Sequence, residues 1–154
     1  RYGELRNAMS IADAIIAARE IKPIETTTEL KEAVARFLPK GSENKVLAQI
    51  FQSLRIEVNE EMKVLEIFLS QCADVLKPGG RLVVMSYHSL EDRLVKNFMK
   101  TGNADGNLEK DFFGNQLTPY KLMSSKPIVP SDDEIQINSR ARSAKLRVAE
   151  RRER

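Results

Sequence analysis

The stretch from Leu76 to Met99 constrains the fold most. Lys77-Pro78-Gly79-Gly80 is a turn sequence, because proline fixes one φ and glycine supplies the positive φ of a type II turn. Leu82, Val83, Val84 and Met85 follow as an unbroken apolar run, which predicts a strand over Arg81 to Ser86. A continuous rather than alternating run argues that the strand is covered on both faces, as in a parallel sheet between helices. Ser89, with Asp92 three residues later, then reads as a helix cap. Leu90, Leu94, Val95, Phe98 and Met99 form the inner face of the helix that follows. Helix, buried strand, helix is the repeating unit of doubly wound α/β folds. Ligands in that class sit at the carboxyl ends of strands, which here means Ser86-Tyr87-His88-Ser89.

Upstream, Leu5, Ala8, Met9, Ala12, Ile15 and Ile16 recur at helical spacing and predict a helix ending before Pro23. Thr26 and Glu29 have the spacing of a capping box for a second helix, with Leu30, Val34 and Phe37 inward and Pro39 and Gly41 as its stop. From Asn44 an apolar stripe continues through Leu76, too far for one ordinary helix. Two helices, or one kinked between Arg55 and Asn59, are expected. Cys72 falls on the stripe and reads as a packed small hydrophobe, since no second cysteine or basic neighbour activates it.

Downstream, Thr101 to Gly114 carries three glycines without regular period and reads as a surface loop. Tyr120 to Val129 has strand character, and Ser131 to Asn138 is acidic and turn-like. In Ala144 to Val148 apolar and basic residues alternate, so Ala144, Leu146 and Val148 should share one strand face and Lys145 and Arg147 the other. Net charge is uneven along the chain. Residues 139–154 hold seven basic and two acidic side chains, an excess of +5 within a total of +3, so the preceding residues carry −2. Basic side chains neutralise phosphate with release of counterions; a solvated face, or ion pairs with acidic helices, is the alternative.

With 42% hydrophobic and 31% charged residues among 154, the chain can bury a core. No apolar run approaches the roughly 18 residues of a membrane span, and an intracellular, cytoplasmic protein without membrane partners is expected. One cysteine and one histidine exclude an internal disulfide framework and a Cys/His zinc site. Histidine is the one side-chain type whose unperturbed pKa lies near neutrality, and His88 is placed at a strand-to-helix mouth, which suits a substrate-facing residue; orienting the turn by hydrogen bonding is the other reading. Ser89 reads as a cap rather than a nucleophile, and Glu91 and Asp92 as helix-dipole partners rather than metal ligands.

Four segments together are similar to one family: Leu54-Arg55-Ile56-Glu57-Val58-Asn59-Glu60-Glu61, Leu76-Lys77-Pro78-Gly79-Gly80-Arg81-Leu82, Ser86-Tyr87-His88-Ser89-Leu90-Glu91-Asp92-Arg93 and Arg140-Ala141-Arg142-Ser143-Ala144-Lys145-Leu146-Arg147. In this order they resemble motifs of the bacterial 16S ribosomal RNA (cytosine-N(4))-methyltransferases, the RsmH/MraW family. Tyr2-Gly3-Glu4-Leu5-Arg6-Asn7-Ala8 and the segment from Arg19 to Thr27 look like it too.

The resemblance implies the carboxyl-terminal half of a Rossmann-like, S-adenosylmethionine-dependent methyltransferase sheet (residues 50–154), joined to the latter part of a helical, RNA-recognising insertion (residues 1–49). It implies 16S rRNA of the small ribosomal subunit as partner and S-adenosylmethionine as cofactor of the parent protein. The glycine-rich cofactor loop of the family has no match in this chain, so no cofactor-binding residue is carried over. On this view Ser86, Tyr87 and His88 line the substrate pocket, Tyr87 stacks on the base, and Arg140, Arg142, Lys145 and Arg147 contact RNA. A noncatalytic RNA-binding or assembly module is the alternative for the isolated chain. The edges of a half sheet favour pairing with a second copy, which makes a homodimer a further expectation.

Overall fold

The structure, a computed structural model, describes residues 2 and 5–153; Gly3 and Glu4 of the opening motif and Arg154 of the basic end lie outside them. Two compact units are present, Arg1–Glu61 and Met62–Arg154.

The first unit is helical. Helix α1 (Ala8–Ile21) stops before Pro23, and α2 (Thr27–Ala33) starts at the expected capping box, in which Glu29 N donates to Thr26 Oγ1 at 3.2 Å and Thr26 N donates back to Glu29 Oε2 at 3.0 Å. Lys22 Nζ, 2.7 Å from Glu29, and the backbone N–H groups of Glu25 and Thr26 hold the Glu29 carboxyl down at about 2. A 3-10 turn (Ala35–Phe37) leads to α3 (Glu43–Val58). Ile11, Val34, Leu47 and Ile50 form the core of this unit. The long apolar stripe is indeed two helices, since Glu60 adopts φ 49 and turns the chain between α3 and α4 (Glu61–Val75). The expected boundary after residue 49 falls inside α3, whose continuous hydrogen-bonded backbone keeps residues 50–58 with the first unit; the units part at Glu61 and Met62.

The second unit packs helices on one face of a small sheet. Pro78 and Gly79 (φ +77) make the type II turn, closed by Gly80 N donating to Lys77 O at 2.9 Å. Strand β1 (Arg81–Ser86) follows, then α5 (Ser89–Thr101), β2 (Tyr120–Leu122), α6 (Asp132–Ile137) and β3 (Lys145–Arg151). Gly102 ends α5 at φ +84, where a Cβ would stand 2.7 Å from Pro119 Cδ. Leu69 and Cys72 of α4 and Val95, Phe98 and Met99 of α5 close over Leu82, Tyr120 and Ala149. Burial pushes the Cys72 thiol pKa up, as suits a packed side chain.

The sheet order is β1-β3-β2 and both pairings are antiparallel. The parallel, doubly covered setting expected for β1 is therefore not what the described residues form. Leu82 and Ser86 face the helices, whereas Val83 and Met85 on the other face remain 54% and 53% exposed. Alternation, masked in the sequence because both faces of β1 are apolar, is present in the burial pattern.

Tyr120 is 1% exposed, its hydroxyl is buried without a partner among the described residues, and burial pushes its pKa up to about 12. Replacing Tyr120 with phenylalanine should therefore stabilise the fold by about 1 kcal/mol, since a desolvated hydroxyl with no bond costs more than it returns. Urea unfolding that shows a loss of that size would mean the hydroxyl is bonded in solution.

Candidate functional site

The carboxyl end of β1 opens onto a groove of about 630 Å³. Its floor is the uncovered sheet face, Met85 and Leu146. One wall is Ile128, Val129 and Pro130, tied to β3 by the reciprocal bonds of Ile128 and Leu146, both 2.8 Å. The opposite rim comes from α6 and the 3-10 turn after it (Ser139–Ser143), with Glu134, Asn138 and Arg140. Tyr87 closes the end nearest β1 and is 57% exposed.

The rim is built by local capping. Ser131 Oγ accepts from Glu134 N at 3.2 Å, and Asn138 Oδ1 accepts from Arg140 N, also at 3.2 Å. Buried Ala141 anchors the turn. Residues 131–138, expected to be merely turn-like, thus contain the helix α6. The Ser131-x-x-Glu134 cap spacing was the signal for it.

Of the three residues expected at the pocket, only Tyr87 lines the groove. Ser86 is buried on the helix side of the sheet, its Oγ donating to Lys145 O at 3.4 Å, because side chains alternate across a strand. His88 is the N-cap of α5. Its Nδ1 accepts from Glu91 N at 3.3 Å, while Glu91 Oε2 accepts from Tyr87 N at 2.9 Å and His88 N at 3.3 Å. With Nδ1 serving as acceptor, the neutral ring carries its proton on Nε2, which is buried beside Glu91 Oε1 at 3.3 Å. His88 therefore fixes the turn that presents Tyr87. The expected Ser89–Asp92 cap is replaced by His88 and Glu91 because Asp92 points inward.

Asp92 is the anchor of the basic end. Arg147 donates from Nε and Nη2 to its two carboxylate oxygens at 2.7 and 3.2 Å, and Lys145 Nζ lies 3.3 Å away. Burial pushes the Asp92 carboxyl up, but the hydrogen bonds and charges of Arg147 and Lys145 outweigh that and hold it below the usual range. Arg147, 6% exposed, is thus withdrawn from any RNA contact, and Lys145 is shared with Asp92. Arg151, buried, donates to Pro119 O at 3.1 Å, and Arg152, exposed, donates from Nε to Tyr120 O at 2.9 Å. Arg140 and Arg142 remain exposed to solvent, Arg140 in the groove.

Gly79 and Gly80 precede β1, and a Cβ on Gly80 would meet Lys77 O at 2.8 Å, so they serve the turn. A cofactor loop belongs at the other end of a strand. No described helix is long and apolar enough to cross a membrane.

The family model of the MraW methylase family matches residues 1–152. Relatives include ribosomal RNA small subunit methyltransferase H of Flavobacterium psychrophilum, 61% identical over 98% of this chain and 52% of its own length. The protein of that name from Amoebophilus asiaticus is 58% identical over 97% and 48%, and that from Bacteroides fragilis 54% over 98% and 50%. The chain spans about half the length of these relatives. On a match that covers nearly every residue, the chain belongs to the MraW methylase family.

Proposed function

We propose that this chain is the substrate-facing part of an enzyme that methylates the exocyclic N(4) amine of a cytosine in 16S rRNA, with S-adenosylmethionine as methyl donor. The family match supports the reaction class, and the relatives' names support small-subunit rRNA as substrate. The observation that carries the site is the meeting of an exposed aromatic, Tyr87, with a solvent-exposed guanidinium, Arg140, in one groove at a strand's carboxyl end.

Single-stranded RNA is held by this combination, a ring for the base and a cation for the phosphate. An amine conjugated into a pyrimidine ring is a weak nucleophile, so holding the base in place is a large part of catalysis, and a base withdrawn from its stack costs a few kcal/mol that the groove must return. Gly79 and Gly80 serve the turn before β1, where no phosphate cradle belongs, so we assign the cofactor to the remainder of the relatives' length and residues 1–61 to the helical part that meets RNA.

Calorimetry should show S-adenosylmethionine binding to the protein at its relatives' full length and none to this chain. In the full-length protein, methyl transfer to 16S rRNA in small subunits should yield N(4)-methylcytosine, and Tyr87→Ala should lower kcat/KM about 10- to 100-fold, the equivalent of one lost base stack. Unchanged kcat/KM would remove the groove from the reaction.

A further inference from the structure

Resting on the reading of this groove as a nucleotide seat, we propose that Glu134 is its specificity-determining residue, selecting a pyrimidine that carries an exocyclic amine over one that carries a carbonyl there. Glu134 is the acidic side chain of the groove lining. Its backbone is committed, N to Ser131 Oγ and O to Asn138 N, but its carboxylate makes no hydrogen bond or ion pair with a described residue. Arg140, on the same rim, is equally uncommitted through its guanidinium, although its backbone N is held by Asn138. Two opposite charges thus line one groove without neutralising each other.

Such a pair matches a ligand that is anionic at one place and a hydrogen-bond donor at another, joined by a flat ring for Tyr87. A cytidine nucleotide has this pattern: phosphate, ring and amine. A uridine nucleotide of the same shape presents O4 where cytosine presents N4–H₂. An ionised carboxylate only accepts hydrogen bonds, so it pairs with the amine and repels the carbonyl, the same logic by which acidic side chains read cytosine N4 in duplexes. The wrong base would leave the carboxylate facing a carbonyl oxygen that it cannot bond, beside the apolar floor of Met85 and Leu146.

The test is titration of this chain with cytidine 5′-monophosphate and uridine 5′-monophosphate, followed by amide shifts of residues 85–87 and 128–146. The wild-type chain should prefer the cytidine nucleotide about tenfold. Glu134→Gln, whose amide can turn either its oxygen or its nitrogen to the base, should bind both with equal affinity. Tyr87→Ala should weaken both to the same degree. Equal binding of the two nucleotides by the wild-type chain, or a preference that survives Glu134→Gln, overturns the role of Glu134 while leaving the nucleotide groove in place. Groove shifts with neither nucleotide overturn both readings, and displacement of the cytidine nucleotide by S-adenosylmethionine reassigns the groove to the cofactor.

Discussion

Arg147→Met is expected to destabilise the sheet-containing unit by about 3–5 kcal/mol, because it strands the buried Asp92 carboxylate. The chain has no tryptophan, so far-UV circular dichroism in urea is the suitable measure. Lys145, with 40% of its side chain exposed, keeps its charge in water and compensates little. Replacing both partners, Asp92→Leu with Arg147→Met, should return stability to near that of the wild type, since the pair's attraction mainly offsets the cost of burying it. Arg147 Nη1 is itself buried without a partner among the described residues, a further reason to expect the apolar pair to be tolerated. The pH dependence separates this account from simple loss of packing. In the wild type the Asp92 pKa is depressed on folding, so its stabilisation is present above the unfolded value near 3.9 and is lost as pH falls through the folded value. In Arg147→Met burial is opposed only by Lys145, the carboxyl protonates at higher pH, and the deficit should narrow towards acid. A deficit that is constant with pH would assign it to packing.

Leu69→Ala should cost about 2–5 kcal/mol. Leu69 is fully buried, where α4 meets α5 and the inner sheet face, and truncation there leaves a void that the surrounding helices close only in part. Val64 on the same helix is 58% exposed, and Val64→Ala should change stability by no more than about 0.5 kcal/mol. Equal effects of the two substitutions in urea unfolding would contradict the assignment of the α4 inner face.

The helices were legible in the sequence because their signals are local: the Thr26–Glu29 box, the Pro78–Gly79 turn and the stripe of Val95, Phe98 and Met99 each act within a few residues. What the sequence concealed is set by partners far along the chain. The alternation of β3 was readable, yet which face turns inward is decided by Asp92, more than fifty residues earlier. The same residue's inward turn moved the α5 cap from Ser89 to His88. Two apolar faces on β1 read as burial on both sides, although antiparallel pairing with β3 leaves one of them open to the groove. Tyr87 was found from its place at a strand end; Glu134 and Asn138 were not, because a six-residue helix has too few positions to show a period.

Apolar preference alone would turn β3 over. A slip of one residue would point Leu146 and Val148 at the helices and put Lys145 and Arg147 in water, a more hydrophobic core than the one observed. Asp92 makes that alternative costly, since it would bury a carboxylate with no partner. Its ion pair should therefore select between two chain arrangements more than add stability, and so keep Leu146 on the groove floor. In the doubly substituted chain that selection is lost while the stability is kept, so cross-strand proximity of Val84 and residue 147 becomes the measure of whether the groove still exists.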